Sequence, residues 1–181
     1  MQMSIQKTDR KDVESVLRVI NRSVEEAYRD IIPPEHFRDP VLTKEELLRE
    51  FRSRTFYAYR LENEIIGVAA LKVEGEKVGI VNWVHVLPEH RRRGVGSVLM
   101  KHVEKEARRI GVKKLLVQYV HDKATWARGF YEKLDYTIGE RMTLPWGYYA
   151  YTYEKVLLWK RIRRIVPRDR VWSVSFLANG C

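Results

Sequence analysis

The sequence predicts an α/β (α+β) fold, and three features lead there. Hydrophobic period switches repeatedly between the 3.6 of a helix and the 2 of a strand. The switches follow the order β-α-α-β-β-β-α-β-α-β-β, with helices and strands intermixed along the chain. At 181 residues, 45% hydrophobic and without a membrane-length apolar run, the chain can bury one sizeable core and carry a short extension besides.

Ser4 to Lys7 is a short opening strand, and Thr8 or Asp9 caps a helix running to about Arg29. Val13, Val16, Leu17, Ile20 and Val24 recur at three and four and form its apolar face. Pro33 and Pro34 end it, because proline lacks an amide proton and disfavours a helical residue before it. Thr43-Lys44-Glu45-Glu46 is a capping box for a second helix lined by Leu47, Leu48 and Phe51. The period then becomes two. Thr55 to Leu61 and Ile65 to Val73 flank the turn Glu62-Asn63-Glu64 as a hairpin, and Gly75 turns the chain into a third strand, Gly79 to Leu87. A helix from Ser97 to Ile110 follows, burying Val95, Leu99, Val103, Ala107 and Ile110, with Gly111 past its end. Lys114 to Val120 is a buried strand and Thr125 to Leu134 the last helix. Thr137 to Leu144 and Tyr151 to Leu158 close the order as a hairpin.

Arg91-Arg92-Arg93-Gly94-Val95-Gly96 stands between the third strand and its helix. Its glycines leave the backbone bare where the first helical amides are unpaired and the helix dipole is positive, so consecutive N–H groups can converge on an anion. Three arginines add forked donors suited to phosphate. A Walker loop needs a Gly-Lys-Ser/Thr ending and a dinucleotide fingerprint needs a third glycine near Leu99; neither is present. Arg91, Gly94 and Gly96 instead resemble the acetyl-CoA signature of the GNAT superfamily of N-acetyltransferases, Arg/Gln-x-x-Gly-x-Gly/Ala. Further on, Ala127-Arg128-Gly129-Phe130-Tyr131-Glu132-Lys133-Leu134-Asp135-Tyr136 resembles the family's second signature, Ala-x-x-Phe-Tyr-x-x-x-Gly-Phe. The resemblance spans Ser4 to Leu158, and within the family the chain is similar to the ribosomal-protein N-terminal acetyltransferase branch.

The resemblance implies a GNAT fold, a single mixed central sheet flanked by helices. In it the strand before the cradle and the strand at 114–120 splay apart and take the pantetheine arm between them. It implies acetyl-CoA as co-substrate, held at Arg91, Arg92, Arg93, Gly94, Val95, Gly96 and Ser97 and by backbone groups near Val84 and Val86. Tyr131 falls where the family places a tyrosine that bonds the CoA sulfur and protonates it. A phenol with a pKa of about 10 suits that acid role at neutral pH. By spacing alone, Phe130, Tyr131 and Leu134 equally suit a core face.

The general base stays unassigned. The ribosomal branch carries a glutamate on the strand after the cradle helix, and register on Tyr131 puts Tyr119 there. His85 has the opposite strand parity from Val84 and Val86 and is expected to be packed or at the surface. His121 and Asp122, at the strand's exit, are open both as proton acceptors and as loop residues. Asp135 replaces the family's glycine at a position that often needs positive φ, which Asp tolerates better than most residues. Ala124 replaces a common asparagine, removing one expected bond to the cofactor.

The resemblance implies an acceptor pocket shaped by Tyr28 to Phe37 and Trp146 to Tyr153. Trp146-Gly147-Tyr148-Tyr149 resembles the tyrosine pair with which N-terminal protein acetyltransferases grip a peptide. Alternatively, Tyr149, Tyr151 and Tyr153 are one face of a strand. The expected reaction is transfer of the acetyl group to a primary amine, a protein or peptide N-terminus first. A small-molecule amine (polyamine, amino-sugar or antibiotic) and a non-catalytic acetyl-CoA-binding module are the alternatives.

Net charge is +10, and residues 160–170 carry six bases against one acid, half of the excess. The acetyltransferase domain is therefore set at 1–159 and a basic C-terminal extension at 160–181. The extension suits an acidic partner or solubility, and Trp172 to Ala178 suits an added strand or a homodimer contact. Residues 160–170 lack aromatics spaced for base stacking, so nucleic acid is not an expected partner. Cys181, the single cysteine, makes no intrachain disulfide, and no spacing suits a metal. Neither a signal peptide nor a transit peptide is visible; a cytoplasmic location and no membrane partner are expected.

Overall fold

The computed structural model describes residues 2–144 and 147–157. The extension at 160–181, Trp146 and Leu158 lie outside the described residues.

Strand β1 (Met3–Lys7) runs into a 3-10 turn. There Asp9 accepts from the Lys11 amide at 2.9 Å while Asp12 accepts from the Asp9 amide at 3.2 Å. This reciprocal capping sets the start of α1 (Val13–Tyr28). Val13, Val16, Val19, Ile20 and Val24 are its buried stripe, and Leu17 packs at the margin. The second capping box forms as expected: Thr43 accepts from the Glu46 amide at 3.2 Å and donates its own amide to Glu46 at 2.9 Å, opening α2 (Lys44–Ser53).

The remaining elements are β2 (Thr55–Leu61), β3 (Glu64–Glu74), β4 (Val78–Val86), α3 (Val95–Arg109), β5 (Lys114–His121), α4 (Thr125–Glu132), β6 (Thr137–Thr143) and β7 (Tyr149–Val156). They reproduce the expected order. Seven strands form one sheet in the order β1-β2-β3-β4-β5-β7-β6. Every neighbouring pair is antiparallel except β4 and β5, which α3 joins as a parallel crossover. No helix among the described residues is long and apolar enough to cross a membrane.

One expected core residue is not in the core. Ile110 is 48% exposed, because α3 ends at Arg109 and the chain turns through Ile110 and a left-handed Gly111. Val112, 3% exposed, takes the buried place instead.

Pairing of β4 with β5 runs only from Val78↔Lys114 to Val81↔Val117. Two residues further, each strand carries a non-glycine residue in left-handed conformation, Trp83 at φ 53° and Tyr119 at φ 61°. Each sits in a bulge: Asn82 to His85 of β4 opposes Val68 to Ala70 of β3, and Val117 to Val120 of β5 opposes Tyr151 to Tyr153 of β7. A bulge bends its strand and increases local twist. The two strands bend beside each other and separate, opening a gap toward their carboxyl ends.

Candidate active site

The gap is walled on one side by Asn82 to Val86, which pair with β3 but not with β5. The Val86 carbonyl accepts from Ser23 Oγ at 3.2 Å and Arg91 Nε at 3.3 Å, which ties the strand's end to α1 and to the following loop. Arg91 was expected to offer its fork to phosphate. Instead its guanidinium donates to the Ser23 carbonyl at 2.9 Å, to Ser23 Oγ at 3.2 Å and to Glu26 at 3.1 Å. Its side chain clamps the loop, leaving Arg92 and Arg93, exposed and without a carboxylate partner among the described residues, as the cations nearest the turn.

The turn itself presents backbone amides with no helical partner. Arg92 and Gly94 are left-handed, at φ 57° and 82°, a backbone pattern that aims successive amides into a shared concavity. Gly94 is the N-cap of α3 and supplies no side-chain cap, and the first turn holds no acidic residue. The first helical bond is Val98 N–H to the Gly94 carbonyl at 3.0 Å, so the amides of Val95, Gly96 and Ser97 point out of the helix end. A side chain at Gly96 would meet the Phe130 ring at 3.3 Å and Val86 at 3.8 Å. The glycine therefore lets α3 rest directly on α4.

Phe130 and Tyr131 divide their roles accordingly. The Phe130 ring touches the cradle, while Tyr131, 7% exposed, stacks edge-on to Phe130 at 5.1 Å and lies 5.8 Å from the Tyr153 ring. Burial, and secondly the neighbouring Tyr28, push the Tyr131 hydroxyl far above the ordinary phenol range, so the free phenol value expected for it is replaced by a more firmly held proton. No hydrogen bond to that hydroxyl forms among the described residues. Tyr28 meets Trp126 edge-on at 5.8 Å, bringing the end of α1 against the start of α4. Asp135 takes φ 61°, the left-handed position for which the glycine was missing, and Ala124 is fully buried in the turn before α4.

The proton-acceptor candidates separate. Tyr119 is 63% exposed on its bulge. His85 is half-buried beside Trp83, ring centres 6.2 Å apart; desolvation and then Arg91 lower its pKa to about 4, so it is neutral at neutral pH and a weak base. His121 is 4% exposed at the end of β5, with the Tyr148 ring 5.6 Å away. Lys123 covers that tyrosine at 4.1 Å. Tyr149 is held by a different neighbour, Arg141 at 4.5 Å, so the expected tyrosine pair is divided between two surroundings.

Sequence reading missed Ser23 and Glu26 as the anchors of Arg91, and Trp126 as the partner of Tyr28. A serine on the apolar stripe of α1 was the one available signal.

The sequence model of the acetyltransferase (GNAT) family matches residues 20–136, more than half of the chain, from within α1 to the end of the second motif. The chain belongs to the acetyltransferase (GNAT) family. It is an acetyl-CoA-dependent N-acetyltransferase, with acetyl-CoA as co-substrate, and the cradle's amides and free arginines fit the pyrophosphate of that molecule. The fold of the acetyltransferase is similar to that of the PaiA N-acetyltransferase of Thermoplasma acidophilum, solved with coenzyme A: TM-score 0.73, 22% identity, covering 86% of this chain and 99% of that one. It is similar to Ard1 of Thermoplasma volcanium, with TM-score 0.71, 21% identity and coverage of 87% and 99%. The ribosomal-protein-S18-alanine N-acetyltransferase of Escherichia coli superposes with TM-score 0.69 at 15% identity, over 86% of this chain and 94% of that one. No curated protein matches the sequence significantly.

Proposed function

We propose that this acetyltransferase modifies the amino terminus of a protein or peptide. The observation that carries this reading is the state of the aromatic rings at the acceptor end. Tyr148, Tyr149 and Tyr151 already have Lys123, Arg141 and Arg128 over their faces at 4.1, 4.5 and 5.3 Å. Those cations repel a polyamine and leave the rings to pack against an uncharged backbone.

In this reading the amides of Val95, Gly96 and Ser97, with Arg92 and Arg93, hold the pyrophosphate, and backbone groups near Val84 and Val86 hold the pantetheine arm. Transfer forms a bond from the amine nitrogen to the acetyl carbon and breaks the carbon–sulfur bond. Tyr131 supplies the proton that the departing sulfur takes, and the proton released by the attacking nitrogen passes to solvent, from which Tyr131 is reprotonated, so no net proton is gained or lost. A cytoplasmic setting, and contact between copies through residues 160–181, belong to the same proposal.

Turnover of acetyl-CoA is to be measured on peptides with free amino termini, the same peptides blocked at the terminus, spermidine and an aminoglycoside. Free peptides should exceed the small amines in kcat/KM by at least about tenfold. Faster turnover of either small amine, or equal turnover of blocked lysine-containing peptides, would overturn the assignment.

A further inference from the structure

His121 holds a buried hydrogen-bond donor that nothing among the described residues satisfies. Its side chain is 5% exposed, in surroundings where polar atoms require partners. Nδ1 accepts from the backbone amide of Lys123 at 3.1 Å. A main-chain amide can only donate, so Nδ1 presents its lone pair there and the proton of the neutral ring sits on Nε2. Asp122 Oδ1 stands 3.0 Å from the same nitrogen and accepts from the same amide at 2.9 Å. Protonation of Nδ1 would turn it toward Asp122 and leave the Nε2 proton in place. Nε2 is thus a donor in either charge state, and it is buried with no acceptor among the described residues. An unmet buried donor of this kind is destabilising until an acceptor arrives.

Its place in the fold says what could meet it. His121 is the last residue of β5, where that strand has parted from β4. Tyr148, from the turn between β6 and β7, lies over its ring, and the Asp122 amide donates to the Tyr149 carbonyl at 2.9 Å. The donor therefore sits between the strand exit and the hairpin turn that border the mouth of the gap.

We propose that His121 Nε2–H donates to the carbonyl of the acceptor's first residue, making His121 a specificity-determining residue that selects amines followed by a carbonyl. A peptide amino terminus places a carbonyl carbon two bonds from its nitrogen; a simple alkyl amine has none. The inference rests on the peptide reading above and sharpens it. Entry of the peptide displaces the Tyr148 ring from its present cover.

The test compares a short peptide with butylamine as acceptors for the wild type, His121→Phe, which keeps a ring without a donor, and His121→Gln, whose amide restores a donor near Nε2. Melting temperature and acetyl-CoA affinity are measured alongside. In His121→Phe the peptide KM should rise, and the peptide-to-butylamine ratio of kcat/KM should fall roughly five- to thirtyfold. His121→Gln should recover most of that loss. If His121→Phe does not fold, His121→Asn, whose shorter amide cannot reach the Nε2 position, should show the same fall. Equal losses on both acceptors would mean a structural role, such as holding a buried water, and would overturn the proposal, as would an unchanged peptide KM. A wild type that turns over butylamine but no peptide would instead overturn the peptide reading itself.

Discussion

Tyr131 is a core residue, 7% exposed, and the proposed function asks it to protonate the departing sulfur. Packing against Phe130 and Tyr153 removes water, and loss of water disfavours the phenolate, so the hydroxyl stays protonated well above neutral pH. Tyr131→Phe keeps the ring and should lower kcat by roughly tenfold to a thousandfold while leaving acetyl-CoA affinity within about twofold. Wild-type turnover in that variant would return the residue to a packing role. His85 gives a second, pH-dependent expectation. Its folded pKa lies below the free value of 6.5, so the stability it contributes is present above pH 6.5 and is lost as pH falls toward about 4. His85 keeps part of its surface, so the loss is smaller than full burial would give. A His85→Leu variant should show a shallower fall in melting temperature between pH 6.5 and 4.5, by roughly 2–6 °C relative to wild type. Parallel melting curves against pH for the two proteins would contradict this.

The paired bulges carry the site at the level of elements. Val81 and Val117 are the last residues of β4 and β5 to face each other, and the left-handed Trp83 and Tyr119 follow immediately. Left-handed backbone is costly for a residue with a side chain, most of all for a β-branched one. Tyr119→Val is therefore expected to lower stability by about 1–2 kcal/mol although valine favours strands, because φ 61° denies it the strand conformation. Tyr119→Gly should be near neutral, as the side chain is 63% exposed and little packing is lost. Chemical denaturation of the two variants settles the order; a more stable valine variant would show that the bulge is not held as described.

For the whole molecule, the described residues contain both motifs, the gap and the final hairpin, whereas half of the excess positive charge lies in residues 160–170. None of the groups assigned to acetyl-CoA lies beyond Tyr131. Deleting residues from Arg161 onward should leave the acetyl-CoA dissociation constant within about threefold, by calorimetry. If the extension joins two copies, light scattering should show a smaller species with unchanged activity per site. A truncated protein that keeps its circular dichroism but loses cofactor binding would put part of the site in the extension.

Local rules were enough to read the element order, the Thr43 capping box and the glycine turn before α3, because each depends on residues a few positions apart. Thr43 caps where its spacing said, Asp9 rather than Thr8 takes the first cap, α3 begins at Val95, two residues before the expected Ser97, and Asp135 accepts the left-handed turn. Ile110 marks the limit of that reading: its period is helical, but where a helix stops depends on what the next residues pack against. Three things were decided only by the tertiary structure. The Arg91 guanidinium found Ser23 and Glu26, residues 68 and 65 positions away. Tyr148 and Tyr149 went to different neighbours. The Nε2 proton of His121 was fixed by one backbone amide and meets no acceptor among the described residues. Periodicity determines which face a side chain takes; which partner waits there, and how much water remains, is set by segments far along the chain.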